Sequence, residues 1–185
     1  PLEFAKWCVS SGQSKTTGQK LQTAYKADGN KFGTSFQKAW KSLASADKNG
    51  FLKLQRLYVK ALYYQPAVEK LYATYGLDVN NYGIAFKNAV WSRTIQHGLS
   101  GFMGIMKEVN TTLTNGVLSV TEKELITAIY KESGKLVSKG TNVISAANAG
   151  GNAWIVRQYN LEGRYMKYFS GNSAAVQAGV YLRLR

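Results

Sequence analysis

The stretch Trp91-Ser92-Arg93-Thr94-Ile95-Gln96-His97-Gly98 gathers the side chains best suited to chemistry in this chain. His97 is its only histidine. An imidazole can act as a general base or as a hydrogen-bond donor to a substrate. Beside a helix-closing glycine it also fits a packed structural residue. Arg93 and Gln96 carry planar arrays of donors suited to hydroxyl and amide groups, and Trp91 offers an apolar ring face.

Carboxylates are the other possible source of chemistry. Glycoside hydrolysis needs one carboxylic acid that protonates the leaving oxygen and a second carboxylate or a held water. The ten acids are Glu3, Asp28, Asp47, Glu69, Asp78, Glu108, Glu122, Glu124, Glu132 and Glu162. Thr121 and Glu124 have the spacing of a capping box, and Glu122 falls in the first turn of the same helix, where it complements the dipole. Glu69 reads as exposed. Glu108 and Glu132 lie near helix ends, where a cleft can form, although a solvated surface suits them as well. Glu108, Glu124, Glu132 and His97 are thus the catalytic candidates, none fixed by a motif.

Other chemistries find little support. With one cysteine, Cys8, and one histidine, neither an internal disulfide nor a zinc site of the usual type can be assembled. A Cys8–His97 nucleophilic pair is formally available, but a cysteine between Trp7 and Val9 on an apolar helix face belongs with core residues. No GxxxxGK loop or GxSxG elbow occurs, and AGGNA at 149–153 follows no recognisable strand. No metal or cofactor is expected.

Lysine and arginine number 24 against ten acids, a formal charge of +14. The excess is even: 13 bases and five acids in residues 1–92, 11 and five in 93–185. Such a charge draws the chain toward polyanions, among them anionic cell-wall polymer, membrane surface and nucleic acid. No apolar run reaches bilayer-spanning length, and no signal peptide is evident. The segment Ile155–Tyr168 mixes aromatics with Arg157, Arg164 and Lys167, a composition that suits stacked bases or a polysaccharide groove, without a nucleic-acid motif.

Helices must position these groups. Helical spacing predicts segments at 3–10, 21–26, 34–45, 51–64, 66–75, 82–96 and 99–109, with another after Thr121 and a last one from Asn172 or Ser173 through Leu182. Phe51, Leu54, Tyr58, Ala61 and Leu62 are expected on one apolar face, with Gln55 inside it as a buried amide. Pro66 suits a first turn, and Gly76 and Gly98 suit helix ends. Residues 133–171 are the least regular. The expectation is an all-α chain of about seven or eight helices forming a single domain over 1–185.

Several blocks carry a resemblance: FQKAWKSLASADKNGFLKLQRLYVKALYYQPAV, GLDV, AVWSRTIQHG, ELITAIYKESG and YFSGNSAAVQAGVYLRL, in that order across residues 34–182. The chain resembles the C-terminal two-thirds of phage tail-lysins and type VI spike-associated peptidoglycan hydrolases, which are similar to lysozyme-like and chitosanase-like glycosidases. The resemblance implies a lysozyme-like helical fold and cleavage of the peptidoglycan glycan strand. It implies a place in a phage tail or facing the wall of a target bacterium, with other tail proteins as partners. It makes Trp91, Arg93, Gln96, His97 and Gly98 cleft-wall residues, and Tyr64, Trp91, Arg93, Gln96 and His97 the candidate substrate-binding set. The family's acidic ESGG-type segment precedes the matched region and has no counterpart here. The chain is therefore expected to be the larger, C-terminal part of a longer catalytic unit, its acid supplied upstream, lost or replaced. Two alternatives stand beside cleavage: a non-catalytic wall-binding or structural virion component, and a basic nucleic-acid-binding helical domain.

Overall fold

The computed structural model describes residues 1–138, with side chains to Ser133. The aromatic-basic segment Ile155–Tyr168 and the expected last helix through Leu182 lie outside the described residues. The fold is all-α: among the described residues there are helices and no strand. None of these helices is long and apolar enough to cross a membrane. Two compact units divide the chain, Pro1–Leu62 and Tyr63–Arg185.

The first unit comprises α1 (Leu2–Ser10), α2 (Lys15–Ala27), α3 (Thr34–Ala46) and α4 (Lys48–Val59). Its core is aromatic. Phe4 meets Trp40, Phe51 and Tyr58 edge-on, at ring-centroid distances of 5.7, 5.9 and 5.5 Å, the arrangement that ring quadrupoles favour. Cys8 is fully buried in this core, and burial pushes its thiol up to about 11, so it stays protonated and unreactive.

Here α2 is longer than the predicted 21–26. The polar run SGQSKTTG looks like a break, yet Ser14 caps the helix by accepting from the Thr17 amide. Gly18 is buried against α1, where a Cβ would strike the carbonyl of Ala5 and the side chain of Val9. Asp28 accepts from the amides of Ser35 and Phe36 at 3.0 and 2.8 Å, tying the α2–α3 loop to the start of α3. Asp47 caps α4 by accepting from Gly50 N at 2.8 Å.

The predicted apolar face over 51–64 is only partly realised. Phe51 is buried and Leu54 and Tyr58 pack on the core, but Ala61 and Leu62 are exposed, Leu62 at 47%. Gln55 is half-buried rather than buried. Ala61 and Leu62 fall in a π-helical turn, Lys60–Tyr64, which follows α4 and contains the unit boundary. A π turn uses more residues per turn than an α turn, so the i, i+3, i+7 pattern loses phase across it.

The second unit begins with α5 (Gln65–Tyr75), which has Pro66 in its first turn and ends at Gly76 in the left-handed conformation. The loop after it carries a short 3₁₀ turn, Val79–Asn81, and buries Leu77 and Val79. α6 spans Ile84–Thr112 but is broken at Gly98, whose φ of 68° and ψ of 171° are non-helical. This is the predicted stop at Gly98, realised as a kink between two helical segments. α7 (Glu122–Ser138) opens with the expected capping box. Glu124 accepts from Thr121 N and Oγ1 at 2.9 and 2.7 Å, while Thr121 Oγ1 accepts from Glu124 N at 3.3 Å. Glu122 accepts from Gly83 N at 2.7 Å, joining the starts of α6 and α7. The core of this unit includes Leu71, Phe86, Phe102, Ile105, Leu125 and Ile129.

Candidate functional site

The heptad before Gly98 is about two continuous turns of α6, and its helical phase separates the candidate residues. At about 100° per residue, Trp91 and Arg93 point some 160° apart, whereas Arg93 and His97 point the same way within about 40°. The structure follows that division. Arg93 and His97 are buried, at 2% and 7% exposure, with Thr94 wholly buried beside them. Trp91 is half-buried, and Gln96 is exposed. The five residues expected as one cleft wall therefore occupy different faces.

On the inward face, the Arg93 guanidinium lies over the Tyr130 ring of α7, 4.8 Å from its centroid. A desolvated guanidinium on an aromatic face is a favourable cation–π arrangement. Arg93 Nη2 also donates to Ser92 Oγ at 2.8 Å. Ser133, fully buried on α7, donates to the Ile129 carbonyl at 2.7 Å. Burial, and then the Arg93 charge, lower His97 from its ordinary 6.5 to about 4. At neutral pH it is an uncharged imidazole that can donate one hydrogen bond and accept another. As a base it is weak, well below the range in which a general base works best at neutral pH.

On the opposite face, Trp91 meets Tyr64, with ring centroids 5.5 Å apart and a tilt of 43°. Tyr64 is the last residue of the π turn. Both rings are half-buried, and burial raises the Tyr64 phenol above its ordinary value, so it stays protonated. Ile95, 44% exposed, is one turn along α6 on the same side. An aromatic pair with partly open faces suits stacking against the apolar face of a sugar ring. Tyr64 was legible as a candidate, but nothing in the sequence signals the turn that presents it.

The three candidate carboxylates have distinct settings. Glu124 is exposed and held by the capping box, and its bonds to Thr121 lower its pKa. Glu108 stands in solvent on α6. Glu132 is half-buried on α7. Glu124 and Glu132 line one concavity of about 440 Å³ with Thr112 and Leu113. Glu124 is drawn back toward Thr121, and that engagement sets it apart from Glu132.

The family described as type VI secretion system spike protein VgrG3-like, C-terminal, has a model that matches residues 6–150. The match begins within α1 and includes α2, ahead of the region where the sequence blocks carry their resemblance. No curated protein matches the chain. No solved structure matches it.

Proposed function

The chain belongs to the type VI secretion system spike protein VgrG3-like C-terminal family, and on that premise we propose that it acts on the bacterial cell wall by cleaving the glycan strand of peptidoglycan. In this reading it is the wall-acting part of an injection device, a lysozyme-type glycosidase whose partners in the assembly are other secretion or tail proteins. The observation that carries the reading is the Tyr64–Trp91 pair. A π turn departs from the α-helical hydrogen-bond pattern and recurs at functional positions. Here it ends on Tyr64, which completes a half-buried aromatic pair with Trp91, the platform of this reading. The formal charge of +14 supports the reading, because the wall is anionic.

The platform would hold a sugar ring, and a carboxylic acid would protonate the glycosidic oxygen as the C–O bond breaks. Glu124 is poorly suited to that role, because its capping bonds favour the carboxylate form. Glu132 and Glu108 are the donors we propose to test. A second reading, a wall-binding spike component without cleavage, draws support from the solvent setting of Glu108 and the capping role of Glu124.

Incubating purified sacculi with the chain separates the two. Falling turbidity with soluble glycan in the supernatant supports the glycosidase. Protein that sediments with sacculi of unchanged turbidity supports the wall-binding component.

A further inference from the structure

The first unit, Pro1–Leu62, holds eleven bases and three acids. Each acid already has a task inside the unit. Glu3 pairs with Lys6 at 2.8 Å. Asp28 takes the amides of Ser35 and Phe36, and Asp47 takes that of Gly50. The other exposed lysines of this unit have no carboxylate ion-paired to them among the described residues.

Three of these lysines share one face. Lys38 and Lys41 are one turn apart on the exposed side of α3, next to Ser42. Lys20 of α2 reaches across, its Nζ donating to Ser42 Oγ at 3.2 Å. The two helices pack directly on each other, so the backbones that carry the three lysines are fixed relative to one another. Three like charges on adjoining helices raise the local positive potential, which favours an approaching anion.

The face is built from point charges. Lysine ammonium groups respond to the spacing of charges, not to the planar geometry that arginine forks select. Trp40, beside Lys41 in the chain, meets Phe4 and Phe51 in the core, at 5.7 and 5.0 Å between centroids. Single-stranded nucleic acid sites add aromatic platforms on which bases stack, whereas the residues joined here through Ser42 offer ammonium groups. A polymer with repeated carboxylates on a neutral glycan backbone fits it better.

We infer that the Lys20–Lys38–Lys41 face of the first unit docks peptidoglycan through the carboxylates of its stem peptides. This rests on the wall-acting reading. It assigns electrostatic anchoring to the first unit, separate from the glycan contact at Tyr64 and Trp91 in the second.

The test is co-sedimentation of the full chain with purified sacculi over a range of NaCl concentrations. The wild type is compared with the combined Lys20→Gln, Lys38→Gln, Lys41→Gln variant, and native sacculi with sacculi whose carboxylates have been amidated. The three lysines are exposed, so the variant keeps the fold, which circular dichroism verifies. The expected result is binding at least about tenfold weaker for the variant at low salt, a gap that closes at high salt, and equally weak binding of the wild type to amidated sacculi. Variant binding equal to wild type overturns the inference, as does wild-type binding unaffected by amidation. Tighter, lysine-dependent binding to duplex DNA than to sacculi also overturns it and makes nucleic acid the occupant. Cleavage is scored separately: lysine-dependent binding without released glycan leaves the anchoring intact and removes the glycosidase reading.

Discussion

Arg93 of α6 lies over the ring of Tyr130 of α7, its guanidinium carbon 4.8 Å from the ring centroid, and it helps keep the neighbouring His97 uncharged. As His97 is the only histidine, one imidazole signal reports on this arrangement. Proton NMR is expected to show His97 titrating near 4 in the folded chain. Arg93→Met removes the charge while keeping an apolar stem over Tyr130, and the His97 midpoint is expected to rise. A wild-type midpoint at the ordinary value near 6.5 would contradict the burial described.

The same shift fixes a pH dependence of stability. The folded-state pKa of about 4 lies below the unfolded value near 6.5, so the unfolded chain takes up a proton first on acidification. The contribution of His97 is complete above about 6.5, declines as pH falls toward about 4, and changes no further below that. His97→Gln, neutral throughout, is expected to lose less of its urea midpoint over this window than the wild type. Parallel midpoints for the two proteins would show that His97 is not the linked group.

Gly98 and Gly104 make a controlled pair. A Cβ at either would meet nothing within 4 Å, so sterics with neighbours play no part. Gly98 sits at φ 68° and ψ 171°, a region open essentially to glycine alone. Gly98→Ala is expected to destabilise by about 1–3 kcal/mol. Gly104 is helical, and Gly104→Ala is expected to stabilise by about 0.5–1 kcal/mol. Urea unfolding of both variants checks the pair. Equal effects would mean that α6 runs unbroken through Gly98.

The carboxylates separate by role. Glu124→Gln should lower the melting temperature by loosening the cap on α7, yet leave glycan release from sacculi unchanged. Glu132→Gln and Glu108→Gln are expected to part company: the proton donor loses release by at least about a hundredfold while keeping its melting temperature, and the other stays near wild type. Activity lost in Glu124→Gln alone would place the acid in the capping box and overturn this assignment.

The aromatic platform is tested by Trp91→Ala. Losing one stacked ring is worth about 1 kcal/mol or somewhat more, so sacculus turnover at low substrate should drop about tenfold. An unchanged rate would remove Trp91 from the site.

Much of the fold was legible because local signals and packing agree. Phe36, Ala39, Trp40 and Leu43 at helical spacing gave α3, Thr121 with Glu124 gave the start of α7, and Gly98 gave the break in α6. The π turn at Lys60–Tyr64 was not legible, since an added residue leaves no periodic trace and Ala61 and Leu62 look like a continued apolar face. The start of α2 was hidden because Gly18, a helix breaker in isolation, is needed where α1 approaches closely. For the site, the sequence put Trp91, Arg93 and His97 together through proximity in the chain. Helical phase then sends Arg93 and His97 inward and Trp91 to Tyr64, and composition alone could not assign an inward arginine to Tyr130.

Mass analysis of the material released when purified sacculi are digested by the chain alone tests the central claim most directly. The expected result is soluble glycan fragments with intact stem peptides and new sugar ends, in amounts that fall with Trp91→Ala. Sacculi that bind the protein yet release no glycan fragments would contradict cleavage by this chain.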